Sequence, residues 1–416
     1  MPISRFRASC LALAAGLALL AQGAAASADP RPLKNAGDID LSQLTRETFY
    51  ERVVPAAKKE GEVVFYNFAG SFGPTWAELI RRFEAKYGIK VTYSDVKGDQ
   101  ANQQLIAVHR AGQDSPVDAY FTGGGGFPLL SKSGVIGDVP LTHILPNFSK
   151  MDPRFTDEIF GRRHGGTFAL VHRNQTAIGY DSAFVTPDEV PQDFPGFLDY
   201  AQKHPGKVGV TLPAKGGSGG GFLYSAALAL TDDACRKPLN DYSQTLDQAR
   251  DFAQGASCLQ PLWDYMGKLF KVVELTNGNA DTLNLLNNQQ ITMGTVWEDG
   301  VAAALAGKQL PETIRLTLLK PGEASSGDAF IIPTNAKHVA AALLLIDMAM
   351  DRDFQLWKLE HKASRSPRTD VSTADLPEAA KAHLVPADQL PARAGPVFWE
   401  MSTALGEALD DKVLNK

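Results

Sequence analysis

The sequence predicts an α/β protein built from two lobes. The chain has 416 residues, whereas single hydrophobic cores stop growing at roughly 250–300 residues, so two folding units are expected. Short runs of β-branched and aromatic residues alternate with helical stretches, which is the order of a parallel sheet covered by helices. Apolar residues make up 44% of the chain, and this content excludes disorder over the whole length.

The first 28 residues are typical of a secretory signal peptide. Arg5 and Arg7 precede an apolar run over residues 8–21, and alanines just before Asp29 offer a cleavage site. The run is too short for a membrane-spanning helix, which needs about 20 apolar residues. We therefore expect residues 1–28 to be removed and the mature protein to be periplasmic.

The charge of the mature chain disfavours nucleic acid as a partner. The full chain has a net charge of −6, and removal of Arg5 and Arg7 leaves 39 basic against 47 acidic side chains, a net charge of −8. A phosphate backbone is instead held by a surplus of Lys and Arg. No nucleic-acid partner is expected.

Two cysteines, Cys235 and Cys258, remain in the mature chain. In an oxidising compartment such a pair favours a disulfide, and the alternative is two buried reduced thiols. Two cysteines cannot form a multi-cysteine zinc site, so the pair is interpreted as structural.

The first lobe is predicted over residues 29–174. Glu62–Asn67 is a β-branched and aromatic run, as expected for a buried strand. Pro74 is suited to the first turn of a helix, which then continues to Gly88. The same alternation gives strands at 62–67, 89–94 and 117–122 and helices at 41–60, 74–87 and 99–111.

The second lobe is predicted over residues 175–320. Thr167–Tyr180 is longer than the usual strand of about 5–6 residues, so it is expected to pass from one lobe to the other. Residues 321–365 are expected to return to the first lobe, and residues 366–416 to pack back on the second. The remaining predicted elements are strands at 208–212, 291–297 and 329–333 and helices at 194–205, 222–230, 258–270, 280–288, 336–350 and about 396–412.

Three glycine-rich turns, Phe68–Gly73, Thr122–Pro128 and Lys215–Phe222, follow predicted strands or precede predicted helices. Glycine lets a ligand approach the backbone, and helix N-termini behind such turns offer N–H groups that suit an anion. None of the turns has the residue order of a nucleotide-binding loop. The ligand-binding residues expected here are Gly70, Ser71, Gly123, Gly124, Gly125, Gly126, Phe127, Ser218, Gly219 and Gly220.

Trp297, Glu298 and Asp299 form a second candidate binding segment at the end of a predicted strand. The ring can hold an organic cation by its face and the two acids by their charge. The structural alternative is a Trp that closes a strand, followed by acids in the first turn of a helix. Together with the glycine turns, the segment predicts a small solute that is amine-bearing or zwitterionic.

Patterns for catalysis are few in this sequence. No histidine pair has the i, i+4 spacing, and H-E-x-x-H is absent; we expect no metal and no cofactor. Gly216–Gly220 matches G-x-S-x-G around Ser218, but no strand is predicted immediately before it, as a nucleophile elbow requires. An exported serine hydrolase using Ser218 is one alternative function, and a binder of an anionic or phosphorylated solute is another.

Several segments resemble the family 1 extracellular solute-binding proteins of ABC importers. PAAKKEGEVVFYN at 55–67 resembles the first helix and strand of that family. TAIGYDS at 176–182 resembles its crossover strand, and FPGFLDYAQKHPGKVGV at 194–210 the segment after it. DAFIIPTNAKHVAAALLLIDMAM at 328–350 is similar to the family's late strand and helix.

Within that family the chain resembles the YnjB-like branch at Leu145–Asn147, at Pro261–Trp263 and at LAGKQLPETIRL over 305–316. The paired tyrosines of the ferric-iron binders are absent, which argues against iron. The resemblance implies a type II periplasmic-binding-protein fold, in which each lobe is a mainly parallel sheet flanked by helices and the ligand cleft lies between the lobes. It also implies a monomer without enzymatic activity that captures a solute by hinge closure and delivers it to a transmembrane permease.

Overall fold

A computed structural model describes residues 33–415 except 34, 38, 160–161 and 391–396. The expected signal peptide lies outside the described residues. Within the part of the chain that is described, no helix is long and apolar enough to cross a membrane.

Nine strands of the described chain form one continuous sheet that runs through both lobes. In chain order they are β1 (Glu62–Asn67), β2 (Lys90–Asp95), β3 (Ala119–Gly123), β4 (Ala169–Asp181), β5 (Val208–Thr211), β6 (Glu274–Thr276), β7 (Met293–Trp297), β8 (Ile314–Thr317) and β9 (Ser325–Ile331). Their order across the sheet is β6-β5-β7-β4-β9-β3-β1-β2, with β8 also paired to β4. The predicted α/β class is confirmed.

Parallel and antiparallel pairing occupy different parts of this sheet. The outer strands are parallel, since β1 pairs with β2 and β3, and β5 pairs with β6 and β7. The central strands β4 and β9 are antiparallel to each other and to their further neighbours. The first half of β4 pairs with β9 and its second half with β7 and β8, so this 13-residue strand crosses from one lobe to the other.

Sixteen α-helices flank the sheet within the described residues. They are α1 (Phe49–Glu60), α2 (Gly73–Tyr87), α3 (Gly98–Arg110), α4 (Phe127–Lys132), α5 (Leu141–Ile144), α6 (Phe194–Lys203), α7 (Gly217–Leu230), α8 (Asp233–Leu239), α9 (Leu246–Gly255), α10 (Gln260–Leu269), α11 (Asn279–Asn287), α12 (Glu298–Ala306), α13 (Val339–Ala349), α14 (Arg352–Lys362), α15 (Glu378–Lys381) and α16 (Trp399–Leu409). Two helix starts differ by five residues or more from the prediction. Residues 41–43 form a separate 3₁₀ turn before α1, and the glycines over 217–221, predicted as a turn, are already helical in α7.

Each lobe has its own large hydrophobic core. The first core combines residues between 36 and 171 with residues between 329 and 354. The second combines residues between 178 and 324 with residues between 397 and 409. We call the parts around these two cores the first and the second lobe. The finer boundaries given by the sequence, near 174 and 320, stay a prediction.

The second lobe contains the disulfide that the sequence predicted. Cys235 in α8 and Cys258 before α10 are bonded, with 5.7 Å between their Cα atoms. This separation lies within the usual range for a disulfide. The bond ties α8 to the start of α10 and lies in the core of the second lobe, where Cys235 is buried.

Candidate functional site

A cleft of about 390 Å³ lies between the lobes, where strands β1, β3 and β7 end. This volume suits a small organic molecule. Its lining combines aromatic rings, carboxylates, amides and hydroxyls with several glycines. The residues with polar or aromatic side chains are Phe68, Ser71, Phe72, Asp99, Asn102, Thr122, Asn174, Asn279, Trp297, Asp299, Ser326, Asp328 and Trp399.

The glycines of the cleft make room for aromatic rings of the protein. At three of them a side chain would press against a ring, because a Cβ atom built there would lie within 3.4 Å of it. Glycine is therefore required by close packing at these positions. The sequence predicted a different reason for these glycines, namely that they let a ligand reach the backbone. The pairs are Gly123 with Phe68 at 3.2 Å, Gly125 with Trp399 at 3.4 Å and Gly217 with Trp297 at 3.0 Å.

Three aspartates give the cleft an acidic lining. Asp99, in the first turn of α3, is exposed, whereas Asp299 in α12 and Asp328 on β9 are 7% and 6% exposed. Burial, and after it the neighbouring charge of Asp299, raises the pKa of Asp328 well above its ordinary value. Acidic groups beside aromatic faces favour an organic cation. Within the described residues, no group of three or more His, Cys, Asp or Glu side chains is placed to hold a metal ion.

Two lysines of α14 lie behind the buried aspartates. The Nζ of Lys362 is 3.4 Å from a carboxylate oxygen of Asp299 and 5.1 Å from the centre of the Phe72 ring. Lys358 is completely buried, donates to a backbone carbonyl of β4 and interacts electrostatically with Asp328. Burial lowers the pKa of Lys358 to about 7. Two lysines of the protein therefore lie directly behind the floor of the cleft.

Glu298 is turned away from the cleft, although it precedes Asp299 in the chain. Its side chain is completely buried, and its two carboxylate oxygens accept hydrogen bonds from Arg365 at 2.7 Å each. The backbone N–H of Val385 donates to the same carboxylate at 2.8 Å. The predicted pair of acids is thus divided: Asp299 lines the cleft, and Glu298 joins α12 to the C-terminal tail.

Ser218 lies in the first turn of α7 and is buried. Its hydroxyl donates to Oδ1 of Asn279 at 2.7 Å and lies 3.1 Å from the hydroxyl oxygen of Thr211. A Cβ atom on the next residue, Gly219, would lie 1.9 Å from the carbonyl oxygen of Thr211. Neither hydroxyl partner is a general base, so the geometry gives no support to a nucleophilic serine. The glycines here allow α7 to approach β5.

The cleft gathers part of the predicted ligand-binding set, namely Ser71, Gly123, Gly125, Gly126, Trp297 and Asp299. Gly70 opens the short 3₁₀ turn beside Ser71. Gly124 and Phe127 line a smaller gap next to Trp399. Gly219 and Gly220 follow Ser218 inside α7. A direct role in binding stays a prediction for every one of these residues.

Other residues of the cleft were missed from the sequence. Asp99 and Asn279 each follow a glycine after a strand, at the start of α3 and α11, so the signal used for the other turns was present. Trp399 begins the C-terminal helix, and no local pattern marks it. Its indole N–H and Oδ1 of Asn174 are buried without a hydrogen-bond partner in the described structure. Both side chains belong to the lining of the cleft.

Known proteins match most of this chain. The family profile described as bacterial extracellular solute-binding protein matches residues 78–387. The spermidine/putrescine-binding periplasmic protein of Escherichia coli (strain K12) is 23% identical over 297 residues, which cover 71% of this chain and 75% of that protein. Its counterpart from Salmonella typhimurium (strain LT2) is 22% identical over the same length and shares of the two chains.

Solved structures share the architecture at low sequence identity. A spermidine/putrescine transporter substrate-binding protein from Streptococcus pneumoniae superposes with a TM-score of 0.63 at 14% identity, covering 84% of this chain and 99% of that one. A ferric binding protein from Campylobacter jejuni gives a TM-score of 0.58 at 13% identity over 84% and 99% of the two chains. The predicted type II periplasmic-binding-protein fold is confirmed by these likenesses.

Proposed function

We propose, from the premise that this chain belongs to the bacterial extracellular solute-binding proteins, that its cleft captures a small amine-bearing solute. The chain is the solute-binding component of an ABC transporter. The observation that carries the choice of an amine is the lining of the cleft, in which Trp297 and Trp399 accompany Asp99, Asp299 and Asp328. Aromatic faces and carboxylates bind ammonium groups.

The relatives support the same chemical class. The curated proteins that match are named for binding spermidine and putrescine, which are organic amines. The unpaired N–H of Trp399 and the unpaired Oδ1 of Asn174 would hold polar groups elsewhere on the solute. Burying such groups without a partner costs free energy, so a solute that pairs both gains affinity.

An anionic or phosphorylated solute is less well supported by the cleft. The backbone N–H of Gly124 already stabilises the charge of Asp328. The backbone N–H of Ser218 donates to Oδ1 of Asn279 at 3.3 Å. The donors that the glycine turns were expected to offer to an anion are thus partly used by the protein. A zwitterion with a small anionic end remains compatible with what is left.

We further propose how the solute is delivered. Lobe one, residues 29–174 with 321–365, and lobe two, residues 175–320 with 366–416, would close on the solute by a hinge through β4. Closure is a population shift that depends on better contacts in the closed state. The mature monomer, formed in the periplasm after loss of residues 1–28, would then dock on its permease without changing the solute chemically. We also propose, from the resemblance at Leu145–Asn147, at Pro261–Trp263 and over 305–316, that the chain belongs to the YnjB-like branch.

The test compares two substitutions that remove the same charge at different places. The purified mature protein is screened by thermal shift with amines, amino acids and phosphorylated compounds, and the best amine is titrated by calorimetry. Asp99→Asn should weaken its binding about fivefold, because an exposed charge contact contributes about 1 kcal/mol. Asp233→Asn, at a side chain that is 96% exposed on the surface of α8, is the matched control and should leave the affinity unchanged. No thermal shift with any amine at millimolar concentration would refute the proposal.

A further inference from the structure

We infer that the cleft selects a solute with a single positive charge, in preference to a diamine or a polyamine. The inference rests on the proposed function and narrows its substrate class. It is carried by the pairing of charges around the cleft floor. Of the three aspartates that line the cleft, Asp299 contacts the ammonium group of Lys362 in α14 and Asp328 interacts electrostatically with Lys358 of the same helix, whereas Asp99 has neither partner.

The first pair is Asp299 with Lys362. Their charged groups are 3.4 Å apart, and the two side chains are 10% and 5% exposed. The same ammonium also reaches the backbone carbonyl of Asp299, at 3.3 Å. Such a buried pair is held by more than one contact and is weakly screened by salt. The charge of Asp299 is therefore compensated before a solute arrives.

The second pair is Asp328 with Lys358. Burial raises the pKa of Asp328 and lowers that of Lys358 to about 7, so both groups are shifted toward their uncharged forms. Because each group is shifted toward its uncharged form, the pair adds little net charge to the floor of the cleft. His172 lies 3.7 Å from Asp328, but it is completely buried, which lowers its pKa well below the ordinary value and keeps it neutral.

A third pair lies next to these two and is also compensated. Glu298 and Arg365 share two hydrogen bonds of 2.7 Å. Asp99 remains, exposed at the start of α3, and no ion pair of the described chain includes it. Among the carboxylates that line the cleft, Asp99 is therefore the one without a lysine of α14 beside it in the described structure, and one ammonium group neutralises it.

A second ammonium on the solute would meet protein cations at the floor. Like charges brought together in a partly buried site repel each other, and this is a general means of rejecting a wrong ligand. A polyamine could bind well only by displacing Lys362 from Asp299. The matching relatives named for spermidine and putrescine are only 22–23% identical to this chain, so a different charge preference is compatible with the shared family.

The test uses two probes that differ by one charge, putrescine and its mono-N-acetyl derivative. The dissociation constant of each is measured by calorimetry on the mature wild-type protein. We expect the acetylated, singly charged probe to bind about tenfold more tightly or better. In Lys362→Gln, Asp299 loses its partner and becomes free for a second ammonium group. The affinity for putrescine should therefore rise about tenfold relative to the affinity for the acetylated probe. Lys271→Gln, at an exposed position, is the charge-matched control and should keep the wild-type ratio.

The outcomes separate this inference from the function on which it rests. Tighter binding of putrescine to the wild type overturns the single-charge inference and leaves the amine-binding function standing. The single-charge inference is also overturned if the ratio of the two dissociation constants is the same in Lys362→Gln as in the wild type. Absence of binding by both probes, and by every other amine screened, overturns the proposed function together with the inference. If Lys362→Gln does not fold, the ratio of the two dissociation constants in the wild type alone decides whether the inference holds.

Discussion

Exchanging Glu298 for Gln and Asp299 for Asn, one at a time, should separate folding from solute binding at two adjacent positions. Each substitution removes one negative charge and keeps the shape of the side chain. Glu298 is completely buried and bonded to Arg365, whereas Asp299 lines the cleft. We therefore expect opposite profiles from two changes that are chemically alike.

Glu298→Gln should act mainly on stability. The guanidinium of Arg365, whose side chain is 13% exposed, would keep its place but lose its charged partner. Breaking a buried ion pair on one side costs about 3–5 kcal/mol, because a buried charge is left uncompensated. The folded fraction of the variant should bind the solute with the wild-type dissociation constant, since Glu298 does not line the cleft.

Asp299→Asn should act mainly on affinity. Lys362 would lose its carboxylate partner at the cleft floor, although it keeps the backbone carbonyl of the same residue at 3.3 Å. The free energy of unfolding should fall by about 1–3 kcal/mol, because an ammonium group loses one buried partner. The floor would gain one positive charge, so the affinity for a cationic solute should fall about tenfold or more.

Urea unfolding followed by circular dichroism gives the stability of each variant, and calorimetry with the best amine gives the affinity. The variants serve as controls for each other, because both remove one carboxylate from the same turn of α12. The reasoning is refuted if Glu298→Gln weakens binding as much as Asp299→Asn while its unfolding curve stays that of the wild type.

Three further predictions concern stability, each followed by urea unfolding. Gly219→Ala should lower the free energy of unfolding by about 1–3 kcal/mol or more, because the new methyl group would lie 1.9 Å from a backbone oxygen. Gly70→Ala is the control: no atom lies within 4 Å of its new methyl group, so the loss should be under about 0.5 kcal/mol. Equal losses in the two variants would contradict the packing role of Gly219. Replacing Cys235 and Cys258 together by Ser should lower the free energy of unfolding by about 3 kcal/mol, because the disulfide closes a loop of 23 residues. A reductant should lower the stability of the wild type to that of the variant. If neither the substitution nor the reductant changes the stability, the disulfide does not stabilise the lobe. Burial raises the pKa of Glu323 to about 8, so the folded state keeps a proton that the unfolded state releases above its ordinary pKa of 4.5. The free energy of unfolding of the wild type should therefore fall as the pH rises from about 4.5 to 8, and Glu323→Gln should remove the contribution of Glu323 to this fall. If the variant keeps the pH profile of the wild type, Glu323 does not have the raised pKa.

The parallel strands could be predicted from the sequence because burial on both faces leaves a continuous apolar run. The prediction for β1, residues 62–67, agrees with the structure at both ends. Strand β6 was missed because it is three residues long and two of these, Glu274 and Leu275, are exposed. Strand β8 and helices α8 and α9 were also missed; each is short or largely polar, so the apolar pattern used for the other elements is weak there.

The site could be predicted only where it follows directly from strand ends. Trp297 and Gly123 stand at the ends of β7 and β3, and the topology brings them to one cleft. Glu298 and Asp299 could not be distinguished, because neighbouring residues of a helix point about 100° apart and the sequence does not say which direction faces the cleft. Trp399 depends on how the C-terminal tail returns, which no local signal describes.

Another helix that the sequence pattern missed, α14, is the one that supplies the lysines behind the cleft floor. The buried residues of α14 include Lys358 and Lys362 together with Gln355, so its inner face does not show the apolar repeat by which helices are recognised. The two lysines are four residues apart and therefore lie on the same face, toward Asp328 and Asp299. Buried ammonium groups reduce stability unless they are well paired. An apolar α14 would pack at lower cost but would leave the carboxylate of Asp299 without its partner at 3.4 Å. The preference for a singly charged solute that we infer would give the protein a reason to keep these lysines.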